Sequence, residues 1–430
     1  MTTSERLPDN WNTSTLGLVA YGFLSGGTPS TKNEAFWKGS VPWITSKWLN
    51  SRLYVDNGEK FISEDALKQS AATVVPRNNL IFATRVGVGK VAVNNIDLAI
   101  NQDLAGVLVD SDHHDIRFLV YQLRSDRIQR TVASHKRGAT IQGITRDALK
   151  ELEVYLPPLA EQRKIAGVLG LVQRAMEQQE RLIALTTELK KTLLHKLFTE
   201  GLHGEPQKQT EIGPVPESWD VVTLGEYLTE AQYGISAKGL ESGRYAVLRM
   251  TNQRHGRISS DNLQYVELTA DQFQRFRVER KDILFNRTNS LDLVGRTALF
   301  DLEGDFAFAS YLIRLRTNAA RLRPFFLNHY FNWDETQVRL KSIATRAVSQ
   351  SNISATRLRG FPVPVPSTEE QDKIISNVDC LDRKLAAHYR KYVALTALFR
   401  SLLHQLMTAQ IRVHDLDLHE LTSFIAKGVQ

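Results

Sequence analysis

Between residues 374 and 406 the apolar positions recur at alternating steps of four and three: Ile374, Val378, Leu381, Leu385, His388, Tyr392, Leu395, Phe399, Leu402 and Leu406. That spacing is a heptad seam and predicts one long helix whose stripe needs a partner. The same register occurs earlier at Ile165, Leu169, Val172, Met176, Gln179, Ile183, Thr186, Lys190, Leu193 and Leu197, weakened at Gln179, Thr186 and Lys190. Pro157-Pro158 marks the start of this first helix, and Ser367 followed by Glu370 predicts a capping box at the second. At ~1.5 Å per residue each helix would reach roughly 60 Å. Elsewhere the pattern shortens to runs such as NLIFATRV (79–86) and DILFNRT (282–288) between Gly, Asn and Asp. Such runs predict strands and loops of a mixed α/β (α+β) fold.

The two seams belong to a larger repeat. LPDNWNTSTLG (7–17) matches VPESWDVVTLG (215–225), offset by 208 positions. ITRDALKELEVYLP (144–157) resembles ISATRLRGFPVPVP (353–366), EQRKI (161–165) matches EQDKI (370–374), and LLHKLFT (193–199) matches LLHQLMT (402–408), each offset by 209. Matches in constant order and spacing indicate tandem duplication. Each copy is a globular stretch running from a Pro-x-x-Trp opening to a proline-rich exit, followed by a long helix. The expected divisions are 1–157 and 204–366 for the globular parts, 158–203 and 367–410 for the helices, and 411–430 for a tail. The nearest partner for each seam is its duplicate, so the helices are expected to pair as an antiparallel coiled coil related by a pseudo-twofold axis. The tail has no counterpart in the first copy and is expected to pack near the N-terminus.

Composition changes this picture little. Of 430 residues, 42% are hydrophobic and 23% charged, with a net charge of +7. One cysteine, Cys380, rules out an intrachain disulfide, which suits a reducing compartment. The polar N-terminus, with no long apolar run, points to the cytoplasm.

Catalytic signatures are missing from the sequence. It contains no G-x-x-x-x-G-K-[ST], no H-E-x-x-H, no Cys-x-x-Cys and no Asn/Asp-Pro-Pro-Tyr. RVGVGK (85–90) reads as a turn, and His195 and His404 flank the seam as packing residues. No catalytic residue, metal ligand or resident cofactor is expected. Binding is the better reading, with a protein-only coiled-coil scaffold as its alternative.

Any nucleic-acid surface must be local. Residues 7–157 carry 17 Lys/Arg against 15 Asp/Glu, and residues 215–366 carry 20 against 16. The best cluster is RMTNQRHGR (249–257), where Arg249, Asn252, Gln253, Arg254 and Arg257 are the side-chain types that bond base edges. WITSKWLNSR (43–52) lies in the matching part of the first copy and supplies Lys47. The strand ends supply Arg85 and Arg287, and Lys90 and Arg296 follow Gly89 and Gly295. Lys136, Arg137 and Arg346 lie in polar loops just before the proline exits. The ends and helices of the repeat are kept while its interior loops differ, as expected of two copies reading different targets.

The duplicated Pro-x-x-Trp openings, the exits into EQRKI and EQDKI, and the ends LLHKLFT and LLHQLMT resemble the specificity subunit of type I restriction–modification enzymes. The resemblance covers nearly all of 7–410. It implies two target-recognition domains, each reading half of a split double-stranded DNA sequence. It implies helices that set the gap and dock two modification (methyltransferase) subunits, which restriction (translocase–nuclease) subunits join. S-adenosylmethionine would belong to the modification partner. On this reading, Leu385→Lys or Leu402→Lys should disturb the spacer or assembly more than the recognition domains.

Overall fold

The computed structural model describes residues 7–135, 143–346 and 350–427. The two long helices are Leu159–Glu200 and Thr368–Met407. The chain forms two compact units, and each takes part of both helices: Met1–Ile183 with Ala387–Gln430, and Ala184–Ala386. The helices are therefore not segments standing apart from the globular parts, as the sequence divisions suggest. No described helix is long and apolar enough to cross a membrane.

In the first unit a five-stranded sheet runs in the order Ala20–Ser25, Leu104–Val109, Asn79–Ala83, Val91–Asn94, Tyr54–Val55. A four-stranded sheet, Lys60–Ile62, Val41–Ile44, Leu98–Ile100, Thr73–Val75, lies in the same unit. The strand Asn79–Ala83 is buried at all five positions, which explains its unbroken apolar run. RVGVGK forms the turn that follows, with Gly87 and Gly89 at φ +69° and +94°, values that favour glycine.

The second unit repeats this order with an added hairpin. Its six-stranded sheet runs Leu228–Tyr233, Leu312–Thr317, Ile283–Asn286, Thr297–Leu299, Arg257–Ile258, Gln253–Arg254. A three-stranded sheet, Gln264–Val266, Tyr245–Leu248, Phe306–Phe308, accompanies it. In both units the opening and the exit close on each other as a two-stranded ladder. Asn12–Thr15 pairs with Glu153–Leu156, and Asp220–Thr223 with Pro362–Val365.

The repeated motifs meet at these junctions. Trp11 Nε1 donates to Glu161 Oε2 at 3.3 Å, and Trp219 Nε1 to Glu370 Oε2 at 3.0 Å. The Pro-x-x-Trp opening and the Glu-Gln helix start are thus two halves of one contact. Ser367 Oγ accepts from the Glu370 N–H at 3.2 Å as a cap, but the reciprocal half of the predicted box is absent. The Glu370 carboxylate is instead taken by Trp219 and by the Leu202 N–H at 3.1 Å. The neighbouring glutamines repeat as well. Gln162 accepts from the Asp115 N–H and donates to the Pro157 carbonyl; Gln371 accepts from the Arg323 N–H and donates to the Pro366 and Arg321 carbonyls. Gln371 is fully buried. Gln371→Met should therefore cost about 2–4 kcal/mol, because it strands buried backbone groups; urea denaturation of the variant checks this.

In each unit the helix seam merges with the globular core. In the first, Ile165, Leu169, Val172, Leu395, Leu402 and Leu406 share one cluster with Trp11, Leu16, Phe118 and Tyr121. In the second, Leu197, Ile374 and Val378 share one with Trp219, Phe326 and Tyr330. The helix ends bury a wider stripe than a heptad gives. Leu194 and Phe198 are buried beside Leu197, and Leu403 and Met407 beside Leu402 and Leu406. Both the partner helix and the globular layer cover these ends.

Toward the middle the seam turns polar, and the weak positions find partners. Gln179 Oε1 meets His388 Nδ1 at 2.9 Å, Tyr392 O–H donates to Glu180 at 2.7 Å, and Lys190 pairs with Asp382. Met176, Ile183, Leu193, Leu385, Tyr392 and Phe399 are half-buried, while Leu381 is buried. Contacts further apart give an antiparallel order in each unit: Glu161 meets Arg412 and Gln179 meets His388 in the first, while Lys190 meets Asp382 and the Leu202 N–H meets Glu370 in the second. The tail docks as expected: Arg412 bonds Glu161 at 2.9 Å and Asn10 at 3.3 Å, and Val413 joins the first core.

Candidate nucleic-acid interface

The Arg-rich stretch 249–257 is a hairpin, and much of its chemistry is used internally. Asn252 is 1% exposed, accepts from the Arg249 N–H, and donates to the Ser259 and Asp261 carbonyls. Gln253 donates to the Leu284 carbonyl at 2.7 Å. Both amides hold the loop rather than face a base. Arg249 donates to the Asn262 carbonyl. Arg254 is exposed and 3.9 Å from Asp261. Arg257 turns to the second long helix, where Nη2 meets Asp379 Oδ1 at 3.1 Å.

A different surface of the second unit gathers exposed polar groups. Strands Thr288–Asn289, Ser351–Asn352 and Thr345–Arg346 form a small sheet in which Asn289 and Arg346 both lie opposite Ser351. Arg346 is exposed, and the Arg287 guanidinium lies 4.7 Å above the Tyr233 ring. Tyr311 beside it is 48% exposed. Arg346 lies in this sheet, and Arg287 immediately precedes its first strand. Arg296 is exposed on a turn whose Gly295 carbonyl accepts from Gln337 at 2.9 Å.

The first unit shows the same turn device, with Gln129 donating to the Gly89 carbonyl at 3.0 Å. Lys90 reaches back to the Leu49 carbonyl at 2.8 Å, while Lys47 and Arg85 are exposed. The last loop of each copy returns beside the same strand end: Ile144 N–H donates to the Thr84 carbonyl and Ile353 N–H to the Arg287 carbonyl, each at 2.9 Å. Lys136 and Arg137 lie outside the described residues.

Sequence reasoning missed two side chains that position these surfaces. Arg124 donates to the Ser51, Arg52 and Val91 carbonyls, fixing the end of the 43–52 segment. Burial pulls its guanidinium down to about 10. The other is Asp379. Burial raises its carboxyl, but His329, Arg257 and Arg383 together outweigh that and hold it below its ordinary value. A depressed carboxylate stabilises the fold at neutral pH, and that contribution is lost as acid protonates it. Neither residue carries a sequence signal, because each works through contacts far along the chain.

The family model described as "Type I restriction modification DNA specificity domain" matches residues 8–188 and again 216–397. The chain belongs to this family. The two matched stretches are the two copies of the repeat, each with most of its helix. The chain is 23% identical to the type I restriction enzyme MjaIX specificity subunit of Methanocaldococcus jannaschii, covering 96% of each chain. It is also 23% identical to the EcoKI specificity subunit of Escherichia coli K12, covering 87% of this chain and 83% of that one. A crystal structure of the type I restriction–modification S subunit from M. genitalium has the same fold. It has a TM-score of 0.61 at 19% identity and covers 93% of this chain and 97% of that one. The resemblance read from the duplicated motifs is therefore a family relationship.

Proposed function

We propose that this chain is the DNA-recognition subunit of a type I restriction–modification complex, each globular layer reading one half of a split target. The observation that carries the reading is the repeat itself. Two copies keep the same junctions, Trp11–Glu161 and Trp219–Glu370, yet present different outer loops. A kept frame with changed surfaces supports one role performed twice on different sequences.

Lys and Arg contacts to phosphate would give affinity and register, and base edges would give choice. Helices of roughly 60 Å at ~1.5 Å per residue exceed the ~34 Å of one DNA turn. They leave length to set the gap between half-sites and to dock two modification subunits, which restriction subunits join. The chain performs no chemistry of its own. The modification subunit binds S-adenosylmethionine and takes the target base out of the stack. The setting is the cytoplasm.

Mapping methylated sites in the host genome tests the proposal: a split motif is expected, and an unbroken or absent motif would sink it. A gel shift with the modification subunit present separates a reader from a scaffold. A reader's affinity should fall about 10³-fold or more between 50 and 200 mM salt, while a scaffold's response stays flat.

A further inference from the structure

We propose that Asp379 is a positioning residue that seats the second recognition layer on the second long helix and so keeps its half-site specific. The proposal rests on the reading of the chain as a two-part DNA reader. Elements from four parts of the second unit meet at this point. Strand Arg257–Ile258 supplies Arg257, 3.1 Å from Asp379 Oδ1. Helix Pro324–Phe331 supplies the buried His329, whose Nε2 lies 3.5 Å from the same oxygen. Nearly one turn along the long helix, Asp382 pairs with Lys190 of the first long helix. The hairpin is held a second time by Asn328 Nδ2, which donates to the Gly256 carbonyl at 2.9 Å. His329, Asp379 and Asp382 bring possible metal-ligand atoms within 4.8 Å of one another. Both carboxylates, however, already carry a cation of the chain, so the cluster works as an ionic latch.

The first unit builds the matching contact without charge. At the positions of His329 and Asp382 it has Tyr121 and Gln173, joined by a hydrogen bond of 3.1 Å. Gly170 stands where the second copy has Asp379. At this position, therefore, the second layer is held to its helix by charges where the first uses a neutral hydrogen bond, and a substitution can remove those charges while leaving the apolar core intact.

Base readout depends on bidentate geometry, whereas phosphate contacts tolerate displacement. A reading layer that rocks on its support loses choice before it loses affinity, and small misplacements cost on the order of 10–100-fold. The loss should fall on one half-site only.

The test uses the full chain assembled with its modification subunits. Methylation rates are measured on duplexes bearing single base changes in either half, with the halves assigned by exchanging residues 215–366. Asp379→Asn should lower discrimination about 10-fold in the half read by 215–366 and leave the other half unchanged. Asp379→Glu, and the charge-swapped pair Arg257→Asp with Asp379→Arg, should restore most of it, a readout that loss of packing would not give. Unchanged discrimination in Asp379→Asn, equal loss in both halves, or no recovery in the swapped pair overturns the proposal. A wild-type complex without a split target would instead defeat the parent reading before any variant is compared.

Discussion

Replacing residues 215–366 with the corresponding stretch of another family member should change one half of the methylated sequence and leave the other half and the gap untouched. The structure gives the reason for choosing that segment. Its two ends lie side by side in the ladder between Asp220–Thr223 and Pro362–Val365, so it enters and leaves at one place. It meets the helices mainly through contacts that a relative with the same frame can remake. Trp219 bonds Glu370, and Gln371 takes the Arg323 backbone N–H. The Arg323 guanidinium also pairs with Asp372 and Arg257 with Asp379, so a donor that keeps a basic residue at both positions remakes the full contact. The effect should be large. Each wrong base pair costs about 1–3 kcal/mol, so a half-site of several changed pairs should switch preference by ~10³-fold or more. Methylation mapping reads both halves in one experiment. A change in both halves, or in neither, contradicts the assignment of one reader to each copy.

How much of this was legible in the sequence follows from how local each signal is. The repeat, the seams and the strand runs are carried by residues near one another in the chain, and the structure contains the corresponding elements. The Pro-x-x-Trp and Glu-Gln motifs could be seen as recurring, but not as touching, because Trp11 and Glu161 are joined only in the folded unit. Asn252 and Gln253 have the residue types of base readers, yet backbone carbonyls within the unit claim them. Residue type alone does not say whether an amide faces solvent. The second capping box fails for a related reason: Trp219 and the Leu202 N–H claim the Glu370 carboxylate that the local motif assigns to its own helix start. Lys190, a flaw in the heptad pattern, is explained by Asp382 on the other helix.

The two seam substitutions, which the heptad pattern treats alike, should have very different effects. Leu402 is 6% exposed and sits in the cluster that also holds Trp11, Phe118 and Leu169. A lysine there loses the packing of a buried leucine, a cost of about 2–5 kcal/mol, and adds a charge with no buried partner. Because seam and globular layer share that core, Leu402→Lys should loosen the whole first unit rather than the helix pair alone. Hydrogen exchange should show protection lost across 79–123, 159–183 and 387–407. Leu385 is half-buried and belongs to none of the described core clusters. A lysine at that position can lay its stem along the helix and keep its ammonium in water, so Leu385→Lys should cost less than about 1 kcal/mol. Equal losses from both variants, or protection lost only along the helices in Leu402→Lys, would mean that helix pairing stands apart from the globular cores.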